Sequence, residues 1–509
     1  MDYIYKLAST LFAFAIVIGP AIFFHELGHF YFAKRFGVKV FTFSIGFGKR
    51  IWSKTYNGTE YCLSWIPLGG YIKMAGEDPT EQHAGAPDEF PSKPVWQRAI
   101  IIAAGPIANI ILGFVLCVFI FLVGPESPAF MPKVGGVPEK LADVVRVGDV
   151  IESIDGEKVA SWDDIERMER AAIGRPVTLG IDRGGENIEV KATPIPRKYP
   201  ENLPWLVKVQ VAVDDMMMGN GMLGLDPWVD PVIGQMTEGS PADLAGLKPG
   251  DRLVQFAGKP LTQWSDLAMA IRGAPLGEET VERQERWWSI WFPSFLRPPL
   301  QKIWPEETWK VANIPQQALI VRDGKEMTIE VAPKTVHAPK PDGGIESFAA
   351  IGISPVMKQV PQGPVRAVVS GVFMTARLGK LIVDTLIKLV SGEVSAKLLS
   401  GPIGIAQASG SQMREGGIMQ LIYFLALISV NLGVVNLFPY PLLDGGWLFI
   451  FFLYEIMARK PLSPKAMERF IKVGIAGLLT LVVFITWNDL GRIIGFQKVD
   501  DIMRESRQK

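Results

Sequence analysis

The sequence predicts a polytopic α-helical membrane protein with four transmembrane helices and a duplicated β-rich module between the second and the third. Two observations lead to this fold class. Of the 509 residues 48% are hydrophobic, and they are concentrated in a few long stretches. In the more polar middle of the chain, one block of sequence occurs twice in fixed register. The formal net charge is zero, so the charge balance gives no reason to expect a nucleic-acid ligand.

The predicted spans are recognised because they contain no charged residue, except for Asp444 in the third. They comprise residues 7–24 (continuing helically to residue 33), 99–123, 419–454 and 473–488. Most of them approach or exceed the ~20 apolar residues that cross a bilayer, and the fourth is shorter. The first stretch lacks the basic start and the small-residue cleavage site of a signal peptide, so it is interpreted as a retained span.

The distribution of Lys and Arg predicts the orientation of these spans. Loop 34–98 carries nine of these residues and the short loop 459–472 carries five. By the positive-inside rule both loops are cytoplasmic. Residues 124–417 and both termini then face the periplasm of a Gram-negative cell, with the spans in its inner membrane. The basic tail argues mildly against this orientation, but the two loops agree.

The middle of the chain contains an internal repeat. Residues 148–164 (GDVIESIDGEKVASWDD) match residues 250–266 (GDRLVQFAGKPLTQWSD) at an offset of 102. Further along, Arg183 matches Arg322 at an offset of 139. The second copy therefore holds an insertion of 37 residues, placed at about 276–313. Short alternating strands around turn glycines favour a β-rich module.

The second copy, SPADLAGLKPGDRLVQFAGKPL, resembles a PDZ domain, and the first resembles a degraded version of it. PDZ domains bind peptides by adding a strand to a sheet edge. Residues 221–225 (GMLGL) resemble the loop that receives a chain end in such domains. Simple steric cover of the membrane part is an equally weighted alternative to peptide binding.

Two further segments suggest contact with the lipid surface. The insertion places Trp287, Trp288, Trp291 and Trp304 among Arg and Lys residues, a composition typical of the headgroup boundary, although a locally packed loop is the alternative. The charges between residues 363 and 391 fall on one helical face, which predicts an interfacial amphipathic helix rather than a fifth span.

The motif with the clearest chemical meaning is HELGH at the end of the first span. On a helix, His25 and His29 lie on one face, where two imidazoles can converge on a Zn²⁺ ion. Glu26 is close enough to activate water without being a ligand. A hydrogen-bonded histidine pair is the alternative, but such a cluster is costly inside a membrane unless it binds something.

A catalytic zinc site needs a third protein ligand. His83 and His337 lie in polar stretches, and the two cysteines, Cys62 and Cys117, are far apart in sequence. Asp444 is the lone carboxylate of an apolar segment that two prolines and two glycines interrupt. An Asp that caps the following helix is the alternative, but capping alone does not explain a carboxylate at lipid depth.

Together, HELGH, the NLFPYPLLDGG segment at 436–446 and the PDZ copies between them resemble the site-2 protease family of intramembrane zinc metalloproteases, in its RseP type of Gram-negative bacteria. The resemblance implies Zn²⁺ as cofactor and Glu26 as catalytic acid/base. The implied zinc ligands are His25, His29 and Asp444. The implied substrate-binding positions are Asn436, Pro439, Pro441 and Asn431. Relatives usually have His where this chain has Trp447.

With the family's architecture, the prediction becomes more detailed. It comprises a first helix (1–35), a cytoplasmic loop with a membrane-reentrant β-hairpin (36–97), a second helix (98–124), periplasmic PDZ domains (125–215 and 216–340), an amphipathic region (341–415), a third span with the NxxPxPxxDG motif (416–456), a cytoplasmic loop (457–471), a last helix (472–490) and a tail (491–509). Within the hairpin, residues 38–73 alternate around Asn57-Gly58, a turn signal.

The resemblance implies cleavage of transmembrane segments of single-span proteins. A trimmed anti-sigma factor of an envelope-stress pathway is the implied substrate, with remnant signal peptides as a further possibility. A non-catalytic PDZ scaffold with a structural or relict metal site is the alternative. An ion or zinc transporter is a third, but it needs polar residues along several spans, and 99–123 offers only Asn109.

Overall fold

A computed structural model describes residues 2–77, 85–128, 130–196, 221–237, 239–274, 279–283, 307–311, 314–339, 345–391, 399–458 and 463–493. The chain divides into two compact units, one formed by Met1–Pro125 with Pro361–Lys509 and the other by Glu126–Val360. The four tryptophans of the insertion, His83 and most of the C-terminal tail lie outside the described residues.

The α-helices are α1 (Asp2–Arg35), α2 (Val95–Val123), α3 (Trp162–Ala171), α4 (Pro241–Leu244), α5 (Trp264–Arg272), α6 (Pro364–Val390), α7 (Pro402–Asn436), α8 (Asp444–Phe449), α9 (Ile456–Ala458) and α10 (Pro464–Ile493). Phe90–Ser92 and Glu139–Leu141 are 3₁₀ turns, and Ile450–Glu455 is a π-helical segment.

The strands are β1 (Val40–Tyr56), β2 (Thr59–Met74), β3 (Glu126–Pro128), β4 (Val134–Gly136), β5 (Val150–Ile154), β6 (Glu157–Lys158), β7 (Val177–Arg183), β8 (Glu186–Ala192), β9 (Ile195–Pro196), β10 (Gly221–Met222), β11 (Asp226–Pro227), β12 (Ile233–Met236), β13 (Arg252–Phe256), β14 (Lys259–Pro260), β15 (Glu279–Arg283), β16 (Glu307–Val311), β17 (Gln316–Arg322), β18 (Lys325–Val331), β19 (Lys334–Pro339), β20 (Ile345–Ala350), β21 (Ile353–Pro355) and β22 (Met357–Gln359).

The prediction of four spans is confirmed at the level of helix length and composition. Among the described residues, the helices long and apolar enough to cross a membrane are Ile4–Arg35, Val95–Val123, Gly416–Asn436 and Lys465–Leu490. The third ends at Asn436, well before the apolar stretch itself ends, because the two prolines that follow cannot continue a helix. The chain then turns and restarts as α8 at Asp444.

Helix α6 corresponds to the segment for which the sequence predicts an amphipathic helix. Ala367 and Ile382 are buried, whereas Val365, Val372 and Leu381 are exposed. The helix therefore packs along one side and leaves other apolar side chains uncovered. Its position at a lipid interface stays a prediction.

The strand pairing of the predicted hairpin is present as β1 and β2, which turn at Asn57-Gly58 with positive φ at both residues, whereas its membrane-reentrant placement stays a prediction. Both strands bend, so that they fold into a sheet of four segments. Residues 40–45 pair with 70–74 on one side and with 60–63 on the other, and 50–56 pair with 59–64. Residues 70–74 thus form one edge of this small sheet, and the described residues provide no second partner strand for them.

The second unit contains two copies of one architecture. Each has a four-stranded sheet in the same order, β6-β5-β7-β8 in the first copy and β14-β13-β17-β18 in the second. Each places one helix, α3 or α5, after the short hairpin, and Asp164 or Asp266 closes a capping box at its start. The internal repeat thus corresponds to a repeated fold, whereas its assignment to the PDZ class stays a prediction.

Packing assigns the segments at the domain borders. Leu223, in the GMLGL segment, is buried in the hydrophobic core of the first copy. Ala349 and Ile351, which follow residue 340, are buried in the core of the second copy. In each copy, therefore, a segment that follows the repeated sequence in the chain completes the hydrophobic core. At the base of the insertion, β15 pairs with β16.

Both copies hold a buried carboxylate in a two-point ion pair. Arg322 donates from Nε and Nη2 to Asp251 at 2.6 Å each, and Arg183 donates to Asp149 at 2.9 and 2.8 Å. Burial raises the pKa of the Asp251 carboxyl, but the Arg322 guanidinium and the Lys248 N–H outweigh burial and hold this pKa below its ordinary value. Only 1% of the Asp251 side chain is exposed.

This ion pair predicts acid sensitivity of the second copy. Because the folded pKa of Asp251 lies below the unfolded one, its stabilisation is complete above an unfolded pKa of about 3.9 and disappears as pH falls through the folded value. We expect the thermal midpoint, followed by circular dichroism of the detergent-solubilised protein, to fall below about pH 4. Asp251→Asn should lower the midpoint at neutral pH and weaken its acid dependence. Glu330→Gln, at an exposed carboxylate, should change neither, and an acid response unaltered by Asp251→Asn would contradict the assignment.

Candidate metal centre

The two histidines of HELGH face the same point. They lie one helical turn apart on α1, and their Nε2 atoms are 3.3 Å from each other. The rings are nearly perpendicular, with centroids 4.8 Å apart. A helix delivers this arrangement because residues i and i+4 project from one face. Nε2 of His25 and Nε2 of His29 are therefore available to one shared partner.

Asp444 reaches the same point from the other end of the chain. Its Oδ2 lies 3.2 Å from Nε2 of His25 and 3.5 Å from Nε2 of His29. It is the first residue of α8, directly after the turn that contains Pro439 and Pro441. An ion pair between Arg98 and Glu455, 2.6 Å between Nη2 and Oε2, ties the segment after α8 to the start of α2.

The spacing of these three donor atoms fits a zinc ion. Ligands at ~2.0–2.1 Å in tetrahedral geometry are separated from each other by about 3.3–3.4 Å. The three observed separations, 3.3, 3.2 and 3.5 Å, match that value. Two imidazoles and a carboxylate are also the donor set of catalytic zinc sites, which keep a fourth position open. His25, His29 and Asp444 are thus suited to hold Zn²⁺ together.

Contacts from α2 and α7 support the histidines. The Ile101 carbonyl accepts a hydrogen bond from Nδ1 of His29 at 2.8 Å. The Asn109 amide lies 3.3 Å from Nδ1 of His25, and Asn436 Nδ2 lies 3.4 Å from Nε2 of the same ring. Gly105 permits the close approach of α2, because a Cβ there would lie 2.1 Å from Nε2 of His29.

Glu26 lies beside the cluster and is 8% exposed. Its carboxyl interacts electrostatically with His29 and Asp444. The edge segment of the hairpin passes directly next to it, since a Cβ on Gly70 would lie 2.7 Å from Cγ of Glu26. A buried carboxyl, three donor atoms of a metal-binding type and a strand edge without a second partner among the described residues are therefore adjacent.

The structure places the remaining sequence-predicted residues at different distances from this cluster. Asn436 contacts His25, and Pro439 and Pro441 lie in the turn between Asn436 and Asp444. Asn431 lies further back on α7, partly buried. Trp447 packs against Phe470 with ring centroids 6.3 Å apart.

Sequence reasoning missed the contribution of α2 to the site. A signal was present, because Asn109 is the only strongly polar side chain within 99–123, and a lone polar residue in a span usually serves a purpose. No sequence signal identifies the Ile101 carbonyl or the Gly70 contact, which depend on how the elements pack.

Comparison with known proteins relates this geometry to a family. The profile of peptidase family M50 matches residues 13–481. The "Regulator of sigma E protease" of Salmonella typhi is 33% identical over 506 residues, covering 95% of this chain and 99% of the relative. The "Regulator of sigma-E protease RseP" of Escherichia coli is 31% identical over 513 residues, covering 97% and 100%. A Vibrio cholerae relative whose name refers to a zinc metalloprotease is 31% identical over 506 residues, covering 94% and 98%.

Proposed function

The chain belongs to peptidase family M50 and is a zinc metalloprotease, and from this membership we propose that it hydrolyses peptide bonds within membrane-spanning segments of other proteins. The observation that supports this proposal best is the convergence of three donor atoms, from His25, His29 and Asp444, beside the Glu26 carboxyl. Helix α1 carries three of these four residues and is itself long and apolar enough to span a membrane.

We assign the hydrolytic roles as follows. His25, His29 and Asp444 hold Zn²⁺, which when bound polarises the scissile carbonyl and lowers the pKa of water. Glu26 takes a proton from the attacking water as the new C–O bond forms. The same carboxyl then passes the proton to the leaving amine as the C–N bond breaks.

A substrate helix hides its amides in internal hydrogen bonds, so it must be extended before it is cut. Residues 70–74 offer a strand edge next to Glu26, and an extended substrate segment pairs with this edge in our proposal. In our proposal the Asn436 amide bonds substrate backbone groups, and Pro439, Pro441 and Asn431 contribute further to substrate binding. The proposed site thus combines strand addition with a general base.

The direct test uses purified protein in detergent and a tagged single-span substrate. Cleavage is expected to stop when a zinc chelator is added and to return when Zn²⁺ is restored. Gel mobility of the tagged fragments is the measurement. Cleavage that persists after zinc has been removed, as confirmed by metal analysis, would exclude the metalloprotease mechanism.

The relatives are named as regulators of sigma-E, and a trimmed, single-span anti-sigma factor is accordingly the substrate class that we propose. Remnant signal peptides share its chemistry, a short apolar helix with one processed end, and form a second candidate class. We further propose the inner membrane as the location, with residues 126–360 and both termini in the periplasm.

Residues 126–360 are proposed to select substrates that an earlier protease has shortened. In the second copy a groove of about 240 Å³ runs between α5 and the segment 348–353, lined by Leu267, Ile271 and Phe348. In the first copy the Glu169 carboxylate accepts the N–H of Leu223 at 2.9 Å, in the segment that resembles a chain-end loop. In the first copy this N–H is therefore already bonded within the protein and is not available to a peptide end. The second copy is the better receptor for a peptide end.

Deleting residues 126–360 should allow an untrimmed substrate to be cut, because the selecting module is gone. The measurement is cleavage of full-length and pre-trimmed substrate by the deleted and intact proteins. Unchanged dependence on the first cut would contradict the filter. Ala268→Glu, which places a charge in the groove, separates binding from steric cover: several-fold slower cleavage of trimmed substrate supports binding, and unaltered cleavage supports cover alone.

A further inference from the structure

Asn109 contacts a metal-site histidine from α2. Its side chain is fully buried, with an exposed fraction of 0%. One amide atom, assigned as Nδ2, lies 3.3 Å from Nδ1 of His25. The other, Oδ1, is buried and has no hydrogen-bond partner among the described residues. A buried amide oxygen without a donor is costly, so this orientation of the amide needs an explanation.

The chemistry of a ligating imidazole supplies the explanation. In His25 the atom that faces His29 and Asp444 is Nε2. A neutral imidazole that ligates through Nε2 carries its proton on Nδ1, and Nδ1 is then a hydrogen-bond donor. The Asn109 atom opposite Nδ1 must therefore be an acceptor. Rotation of the amide by 180° exchanges its oxygen and nitrogen without disturbing the packing.

His29 provides an internal reference for this pattern. Its Nδ1 lies 2.8 Å from the Ile101 carbonyl, which can only accept, so its proton is on Nδ1 and Nε2 is free for a metal. Ile101 and Asn109 are eight residues apart on α2, two helical turns, with Gly105 midway against the His29 ring. One face of α2 thus contacts both histidines. With an acceptor opposite Nδ1 of His25, each of the two rings donates its Nδ1–H to an oxygen of α2.

We propose that Asn109 is a positioning residue that accepts the Nδ1–H of His25 through Oδ1 and so holds this ring in the tautomer that ligates zinc through Nε2. This inference deepens the proposed function and rests on its metal site. The opposite arrangement, in which Nδ2 donates to Nδ1, would place the His25 proton on Nε2, where it blocks ligation. The first arrangement requires a hydrogen-bond acceptor at residue 109, and the second requires a donor.

Two substitutions separate them in the full-length protein. Asn109→Leu removes both donor and acceptor at similar volume. Asn109→Asp supplies only acceptor oxygens, which suit an Nδ1–H donor and repel an unprotonated Nδ1. Ser429→Ala is the matched control. The Ser429 hydroxyl, on α7, donates to the Asn109 backbone carbonyl at 2.8 Å, so this variant alters a contact of the same buried residue but not the contact with the His25 ring.

The readout is zinc affinity, measured by competition with a chromophoric chelator, together with the visible absorption of the Co²⁺-loaded protein. Asn109→Leu is expected to weaken zinc binding by ~10–100-fold, as is typical when an outer partner of a ligand is lost. Asn109→Asp and Ser429→Ala are expected to stay within a few-fold of the unaltered protein, with an unchanged Co²⁺ spectrum.

Wild-type affinity in Asn109→Leu would overturn the proposal, as would a loss in Asn109→Asp as large as in the Leu variant. If the Leu variant does not fold, the Asp variant still tests the proposal, because a large loss of zinc affinity in it would contradict an acceptor role for residue 109. Failure of the unaltered protein to bind zinc would instead refute the metal centre itself. The two failures are therefore distinguishable.

Discussion

Replacing Glu26 by glutamine is expected to stop peptide-bond hydrolysis while zinc stays bound. Glutamine keeps the size of the side chain but cannot take a proton from water, and general acid–base catalysis typically contributes ~10²–10⁴-fold to rate. Because Glu26 is not among the three converging donors, the metal site should keep its affinity. The measurement is cleavage of a tagged reporter helix alongside metal analysis of the same sample.

Glu77 offers a matched control for this variant. Its carboxylate acts electrostatically on Glu26, and it accepts the Met74 N–H at 2.9 Å, next to the edge segment of the hairpin. Glu77→Gln changes a nearby charge without removing the proposed base, so cleavage should fall by no more than a few-fold. If Glu26→Gln cleaves as fast as this control, Glu26 is not the base.

Some features of the site could be predicted from the sequence because they depend on local spacing. HELGH places two imidazoles on one helical face wherever that helix lies. Asp444 was identifiable because a carboxylate in an apolar segment costs free energy to bury in a membrane, so its presence there indicates a function. The hairpin followed from Asn57-Gly58, whose positive φ angles the structure contains.

Other features depend on which elements pack together, and no local pattern encodes them. The bends in β1 and β2 turn a long hairpin into a sheet of four segments and place residues 70–74 beside Glu26. The burial of Leu223 in the first copy and of Ile351 in the second likewise follows from long-range pairing. A sequence repeat marks where two copies align, but not where the chain closes each of them.

Loss of the Asp444 carboxylate should have the second large effect, on the metal itself. Asp444→Ala leaves two protein ligands where a catalytic zinc site has three. We expect zinc affinity to fall by more than the ~10–100-fold that follows loss of an outer partner, and cleavage to fall with it. Chelator competition and reporter cleavage, measured on one preparation, check both expectations.

Asp489 makes this prediction specific, because it is a buried carboxylate of the same unit that does not contact the histidines. Its oxygens accept the N–H groups of Gly401 and Gly404 at 3.1 and 2.9 Å, so it caps the start of α7. Asp489→Asn should lower the thermal midpoint yet keep zinc, whereas Asp444→Ala should release zinc. Equal zinc retention in both variants would show that Asp444 is not needed to bind zinc, and the proposed centre would lose its third ligand.

The contact between Asp444 and the histidines depends on an unusual backbone. A Cβ on Gly445 would lie 2.2 Å from the Leu437 carbonyl oxygen, and Leu442 has a φ of 79°, which a side chain rarely adopts. Backbone strain of the kind seen at Leu442 costs ~1–3 kcal/mol and persists where the surrounding structure requires it. In this chain the strained turn lets one carboxylate return to a histidine pair more than 400 residues earlier, which neither the helix α7 nor a regular continuation of it would achieve.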